Sequence, residues 1–325
     1  MMMSAQSRAT SVVRMKDGSR PRKSWLKQIW GLKILYLILL PGLIQMLLFK
    51  LLPLFGLVIA FQDYSVFNGI LHSDWVGFKN FAAFLHDDYF WRLVRNTLLL
   101  ALFNLLFVFP IPVIFALFLN EIRVRAVKRF VQTLSFFPYF ISSAVMVSIL
   151  YRLLSPQGGL VNEVLNSFGI QSVFFMADPN WFRPLYVALN VWQLFGYNAI
   201  IYLAAMTSID PNLYEAAEMD GASRWQRIFR VTLPSIRGTI VVMFILAIGQ
   251  ILTVDLDKIL LMYNPSVYDT ADVIQSYVYR QAFASGGFPN YSFGAAVGLM
   301  QSVLAFVLVM GANRFSKKFT ESSLF

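Results

Sequence analysis

The chain has no cysteine and only two histidines, His72 and His86. The first absence excludes disulfides, thiolate metal sites and a cysteine nucleophile. Neither histidine belongs to a His-Glu-x-x-His pattern, and no Gly-x-x-x-x-Gly-Lys-Ser/Thr run occurs. The chain therefore has no phosphate-binding loop of its own and no recognisable zinc site. Charge is sparse as well: charged residues make up 14% of 325 positions, with 17 acids against 27 Lys and Arg. The few acids are scattered. Asp87 with Asp88 and Asp255 with Asp257 stand as isolated pairs, and no nucleophile–base constellation gathers at one end of the chain. A membrane-embedded enzyme that modifies polymers is thus poorly supported.

What is abundant is hydrocarbon, with 58% hydrophobic residues, the composition of a polytopic membrane protein. A net charge of +10 would point to nucleic acid in a soluble protein. Here its distribution reports topology instead, and no nucleic-acid partner is expected. Residues 1–33 form a basic tail with one acid, Asp17. The apolar run from Ile34 to about Phe61 is too long for a signal peptide and lacks a small-x-small cleavage site, so it reads as an uncleaved first span. Five more stretches approach the ~20 residues needed to cross ~30 Å of hydrocarbon. They are Val94–Leu119, Thr133–Leu154, Leu185–Met206, Thr239–Leu260 and Phe293–Asn313. The expected organisation is an all-α bundle of six transmembrane helices over residues 34–313, followed by a second tail at 314–325. Nineteen Lys and Arg fall in the two tails and the loops 120–132 and 207–238, against five in the alternate loops (Lys79, Arg92, Arg183, Lys258, Arg280). By the positive-inside rule both termini and the 207–238 loop are cytoplasmic. The 31 Phe are read as lipid-facing bulk and interfacial belt.

The 207–238 loop carries strong local signals. Asp210-Pro211 supplies an N-cap and a proline at the first helical position. Gly221 stops that helix, because a residue without Cβ takes the left-handed conformation readily. Ser223 and Gln226 have capping-box spacing and start a second helix. On it Trp225, Ile228 and Phe229 share a face, with Arg224 and Arg227 on the flank and Pro234 as its expected end. The segment 210–234 is thus a helix-Gly-helix elbow.

Polar residues inside spans are expensive and merit a functional reading. Asn104 lies in the second span. The fourth holds Asn190, Gln193 and Asn198 with the aromatics Trp192 and Tyr197, and the fifth holds Gln250 and, near its outer end, Asp255. Amides among aromatic rings suit sugars, since rings stack on apolar sugar faces while amides exchange hydrogen bonds with hydroxyls. Interhelical glue is an equally good account of each Asn or Gln. Between spans, Leu160, Val161, Val164, Leu165 and Phe168 have helical spacing and predict a short helix on the outer surface.

The elbow carries a resemblance. Glu215-Ala216-Ala217, Asp220-Gly221-Ala222, Phe229 and Leu233-Pro234 match the pattern E-A-A-x-x-D-G-A, then F, then L-P, of membrane subunits of binding-protein-dependent ABC importers. Further segments resemble the complex-carbohydrate branch of that family, which includes the larger permease of alginate importers. They include Ala60–Tyr64 (AFQDY), Trp75–Phe81 (WVGFKNF), Tyr263–Pro265 (YNP) and Tyr291–Leu299 (YSFGAAVGL). The resemblance implies the type I importer permease fold, in a bacterial plasma membrane. It implies a heterodimer with a second six-span permease, two ATPase subunits that bind ATP and Mg, an extracytoplasmic binding protein and an oligosaccharide substrate. It gives this chain no cofactor and no catalytic residue. The elbow would be the coupling helix, with Glu215 meeting the ATPase, Gly221 as the turn, and Trp225, Ile228 and Phe229 filling its cleft. A stand-alone carrier, like an enzyme, would leave the elbow unexplained.

Overall fold

In the computed structural model, the structure describes residues 32–284 and 289–319. Most of the basic tail, the pair Gly286-Gly287 and residues 320–325 lie outside the described residues. Contacts divide the chain into two compact units, Met1–Gly56 and Leu57–Phe325.

In the first unit, helix α1 (Lys33–Met46) runs into a π-helical turn (Leu47–Leu51), and neither buries a residue. A helix that is apolar on every side and buries none of its residues is built for a lipid environment. The apolar run Lys33–Phe61 is long enough to cross a membrane.

The second unit begins with a two-residue antiparallel pairing, β1 (Gln62–Asp63) with β2 (Asp74–Trp75), in register Gln62 to Trp75. The Asn80 amide donates to the carbonyls of Ala60 and Gln62 and fixes that corner. A long span follows, formed by α2 (Phe90–Phe103), a π turn (Asn104–Val108) and α3 (Pro110–Asn120). Phe109 N–H bonds five residues back, to Asn104 O, just before Pro110, which has no N–H to give. Next come α4 (Arg125–Phe136), α5 (Ser143–Leu154) and the short α6 (Leu160–Ser167), the last where the apolar spacing predicts it. The central element is α7 (Pro179–Thr207), 29 residues and about 43 Å long, which buries Phe182, Tyr186, Leu189, Asn190, Ala199, Tyr202 and Met206. At Gly196 it meets the α4 backbone so closely that a Cβ would lie 2.1 Å from the Ser135 carbonyl oxygen.

After α7 come α8 (Pro211–Met219), α9 (Arg224–Arg227) and α10 (Arg237–Gly249), then α11 (Leu256–Met262), α12 (Ile274–Tyr279) and the last long helix α13 (Tyr291–Phe319). Among the described residues, four helical runs are long and apolar enough to cross a membrane, and up to six if each of two bent pairs is one span.

Two expected spans are not single helices. Thr133–Leu154 bends by 100° between Phe140 and Ser143. Pro138 precedes the bend, and Ser142 caps the new helix by accepting from Val145 N–H at 3.4 Å. Thr239–Leu260 breaks after Gly249 and becomes helical again only at Leu256, and α10 at 13 residues reaches about 20 Å. Residues 250–255 unwind because distant side chains take their backbone groups. Gln301 Nε2 donates to Leu252 O at 3.3 Å, Val254 N–H donates to Gln275 Oε1 at 3.1 Å, and Asp255 N–H donates to Tyr186 Oη at 2.9 Å. Asp255 then caps α11 by accepting from Lys258 N–H.

Candidate functional site

The unwound segment, the π turn of the second span and one face of α7 line a cavity of about 740 Å³ with polar and apolar side chains side by side. Its walls carry Asn104, Tyr139, Tyr186, Asn190, Gln193, Asn198, Tyr202, Gln250, Thr253, Asp255 and Lys258. Four of these form a chain of bonds. Lys258 Nζ donates to Asn190 Oδ1 at 2.6 Å and pairs with Asp255 Oδ2 at 3.0 Å, while Asn190 Nδ2 donates to Asn104 Oδ1 at 3.3 Å. The Lys258 side chain is 2% exposed and that of Asp255 35%, so the carboxylate faces the cavity and the ammonium lies behind it. A buried ammonium needs such a set of acceptors, because an unpaired charge at that depth would neutralise or unfold its surroundings.

Of the residues expected to line a pathway, Asn104, Asn190, Gln193, Asn198, Gln250 and Asp255 converge on this cavity. Their states differ. Asn190 is committed to Lys258 and Asn104. Gln193 Nε2 donates to Ile141 O at 3.0 Å, supplying a donor at the bend between Phe140 and Ser143. The side chains of Asn198 and Gln250 have no hydrogen-bond partner among the described residues, which leaves both amides open to the cavity. Tyr197 does not line it but stacks on Tyr139, which does, with ring centroids 3.8 Å apart and planes within 3°. Trp192 does not join them: it lines an apolar groove on a different face of α7, because at about 100° per residue it lies roughly 200° past Asn190 and roughly 100° before Gln193. Tyr186 and Lys258 were missed. The i,i+3 spacing of Asp255 and Lys258 inside an apolar stretch was the signal for the second.

The elbow forms as its local signals dictate. Asp210 Oδ1 accepts from Asn212 N–H, with Pro211 at the helix start. α8 ends in a full Schellman arrangement, Ala222 N–H to Ala217 O and Gly221 N–H to Glu218 O, with Gly221 at φ +73°. Both bonds of the Ser223–Gln226 capping box are present. Two ties within the elbow itself close the angle: the Arg227–Glu218 ion pair, and Tyr214 Oη with Thr232 Oγ1 at 2.9 Å. α8 buries none of its residues, and Glu215, Ala216 and Asp220 are exposed while Ala217 and Ala222 are half-buried.

Two expectations about the elbow change. Pro234 does not end the second helix. A π turn (Ile228–Thr232) absorbs the missing N–H, the helix runs to Ser235, and the 63° bend follows there. Ile228 does not face outward. It is 5% exposed and packs within the chain, whereas Trp225 and Phe229 remain 57% and 58% exposed beside Phe118.

Comparison with known proteins accounts for this architecture. The model of the family described as binding-protein-dependent transport system inner membrane component matches residues 108–321. The chain is 42% identical to the polygalacturonan/rhamnogalacturonan transport system permease protein YteP of Bacillus subtilis (strain 168), with 100% of each chain covered. It is equally identical to Protein LplB of the same organism, over 93% of this chain and 94% of that one. A chain in the crystal structure of a bacterial ABC transporter involved in the import of the acidic polysaccharide alginate superposes with a TM-score of 0.83 at 39% identity. That match covers 92% of this chain and 100% of the other. The chain thus belongs to the family of binding-protein-dependent transport system inner membrane components: it is an ABC-importer permease of the plasma membrane, a transport subunit whose ATPase is a separate chain.

Proposed function

We propose that this permease carries oligosaccharide fragments of a polysaccharide through the polar cavity on α7, delivered by an extracytoplasmic binding protein and driven by ATP hydrolysed on two partner ATPase subunits. The observation that carries the reading is a cavity lined with amides and tyrosines beside apolar side chains. Sugar hydroxyls require donors and acceptors in equal supply, which amides and phenols provide. The names of the polygalacturonan/rhamnogalacturonan permease and of the alginate importer support a sugar polymer as cargo. A second structure of the alginate importer, in complex with an alginate pentasaccharide-bound periplasmic protein, matches with a TM-score of 0.84 and supports the delivery step.

The bundle has six spans in this reading, counting each bent pair as one, with termini and elbow in the cytoplasm as the charge asymmetry requires. A second six-span permease completes the pathway as a heterodimer. α8 and the Gly221 turn are the coupling helix: Glu215 offers its carboxylate to the ATPase, Ala216, Ala217, Asp220 and Ala222 shape the docking surface, and Trp225 and Phe229 form its aromatic shoulder. Closure of the ATPase dimer around ATP and Mg moves the elbow, and the bundle alternates between outward and inward opening. No covalent chemistry occurs on this chain.

The test is uptake by the assembled importer carrying Asn198→Ala or Gln250→Ala, whose amides hold no protein partner. The expected result is a roughly five- to tenfold rise in the half-saturating oligosaccharide concentration at unchanged membrane level, the size of a lost hydrogen bond or two. Uptake unaltered in both variants would remove the cavity from the sugar path.

A further inference from the structure

The other groove on α7 has a chemistry of its own. It is a cleft of about 660 Å³ between α7 and the second span, walled almost entirely by hydrocarbon. Arg183, Val187, Val191 and Phe195 recur every four residues along one row of α7, and Phe103 and Phe107 face them. From Arg183 to Phe195 the row is about 18 Å long, close to one leaflet of a ~30 Å hydrocarbon core. The helix itself, about 43 Å long, overhangs that core by roughly 7 Å at each end when centred. Arg183 is the fifth of its residues, about 6 Å from the start. It therefore sits at the hydrocarbon boundary, where lipid phosphates lie, and the groove runs inward from it.

The arginine is poised rather than satisfied. One Nη donates to Asn96 Oδ1 at 2.8 Å, and Asn96 is itself buried and held through its own amide by the carbonyls of Asp269 and Asp272. Nε of Arg183 is buried and has no acceptor. Leaving a buried donor unmade costs about 1–3 kcal/mol. Arg95 lies close enough for its charge to repel that of Arg183, and no carboxylate pairs with either among the described residues. A guanidinium without a carboxylate partner among the described residues, at the head of an apolar slot one leaflet deep, lacks an anion with a hydrocarbon tail.

We propose that this groove is a specific site for an anionic phospholipid, with its phosphate on Arg183 and one acyl chain lying along Val187, Val191 and Phe195. The amphipathic ligand satisfies both halves of the site at once, which neither a free phosphate nor a neutral lipid does. The site is on a different face of α7 from the polar cavity, and it does not depend on what the cavity carries.

The absence of native cysteine makes the test direct. The full chain carrying Ala188→Cys on the groove wall is labelled with a fluorophore and reconstituted into phosphatidylcholine vesicles. These contain a minor fraction of brominated phosphatidylglycerol or, in the parallel sample, brominated phosphatidylcholine. Phosphatidylglycerol is expected to quench at a roughly five- to tenfold lower mole fraction than phosphatidylcholine. Arg183→Gln should bring the two lipids to equality, and Val187→Trp, which fills the slot and keeps the charge, should weaken quenching by both. Equal quenching by the two lipids before the arginine is changed would overturn the proposal. So would protection of the label by a second permease chain in the assembled complex. Because the readout is lipid contact rather than uptake, its failure leaves the transport reading untouched.

Discussion

The elbow and the polar cavity are held in opposite ways. In the elbow the shape comes from neighbours in sequence: a cap at Asp210, a Schellman turn at Gly221, a capping box at Ser223, and a first helix that buries nothing. In the cavity the bonds join residues far apart, Asn104 to Asn190 to Lys258 and Tyr186 to Asp255, and all of them hold helices together. An element built from local bonds can meet a partner and yield to it without disturbing the bundle. A network built from long-range bonds cannot change without moving the helices that carry it.

That contrast can be broken most forcefully at Lys258. Lys258→Met leaves Asp255 and Asn190 without their donor and should destabilise the purified protein by about 3 kcal/mol, the low end for a buried pair because Asp255 still meets the cavity. Adding Asp255→Asn should recover more than half of the lost thermal stability. Failure of the double variant to recover would mean the lysine acts through packing alone. Gly196→Ala comes next at about 2 kcal/mol, since its Cβ must push α7 off the Ser135 carbonyl. Its thermal midpoint and its uptake should fall together. Gly221→Asp places a side chain on a φ of +73° at about 1–2 kcal/mol of local strain, with no atom within 4 Å to clash. There the comparison is sharpest. Uptake should fall at least tenfold while membrane level and melting stay near normal, and ATP-driven uptake at the normal rate would sink the coupling role. Ser223→Ala removes one cap for about 1 kcal/mol or less, and a proteolysis assay should find cleavage confined to the elbow.

The same contrast explains what could be read from the sequence. Asp210-Pro211, Gly221 and Ser223 with Gln226 act within five residues, so their types and spacing were enough. The three continuous spans after the first were legible within a few residues, because length and hydropathy are local sums. The fifth span was not. Its unwinding at residues 250–255 depends on Tyr186, Gln275 and Gln301, and no window around the break contains them. Trp192 reads as a pathway candidate beside Asn190 and Gln193 in sequence, whereas helical rotation turns it to the apolar groove. Ile228 has the spacing to share an elbow face with Trp225 and Phe229, and only its burial in the folded chain sets it apart from them.

The unwound segment has a further consequence for how the cavity chooses what it holds. Gln250, Ile251, Thr253 and Val254 all line it, and along this stretch the main chain is not folded into a helix. Main-chain groups of this stretch are tied to side chains on other helices, Leu252 O to Gln301, Val254 N–H to Gln275 and Asp255 N–H to Tyr186, so this wall of the cavity is held from three directions. Any shift of the helices that carry Gln301, Gln275 or Tyr186 therefore reshapes that wall, so the form of the cavity is coupled to the arrangement of the bundle rather than set by the side chains that line it.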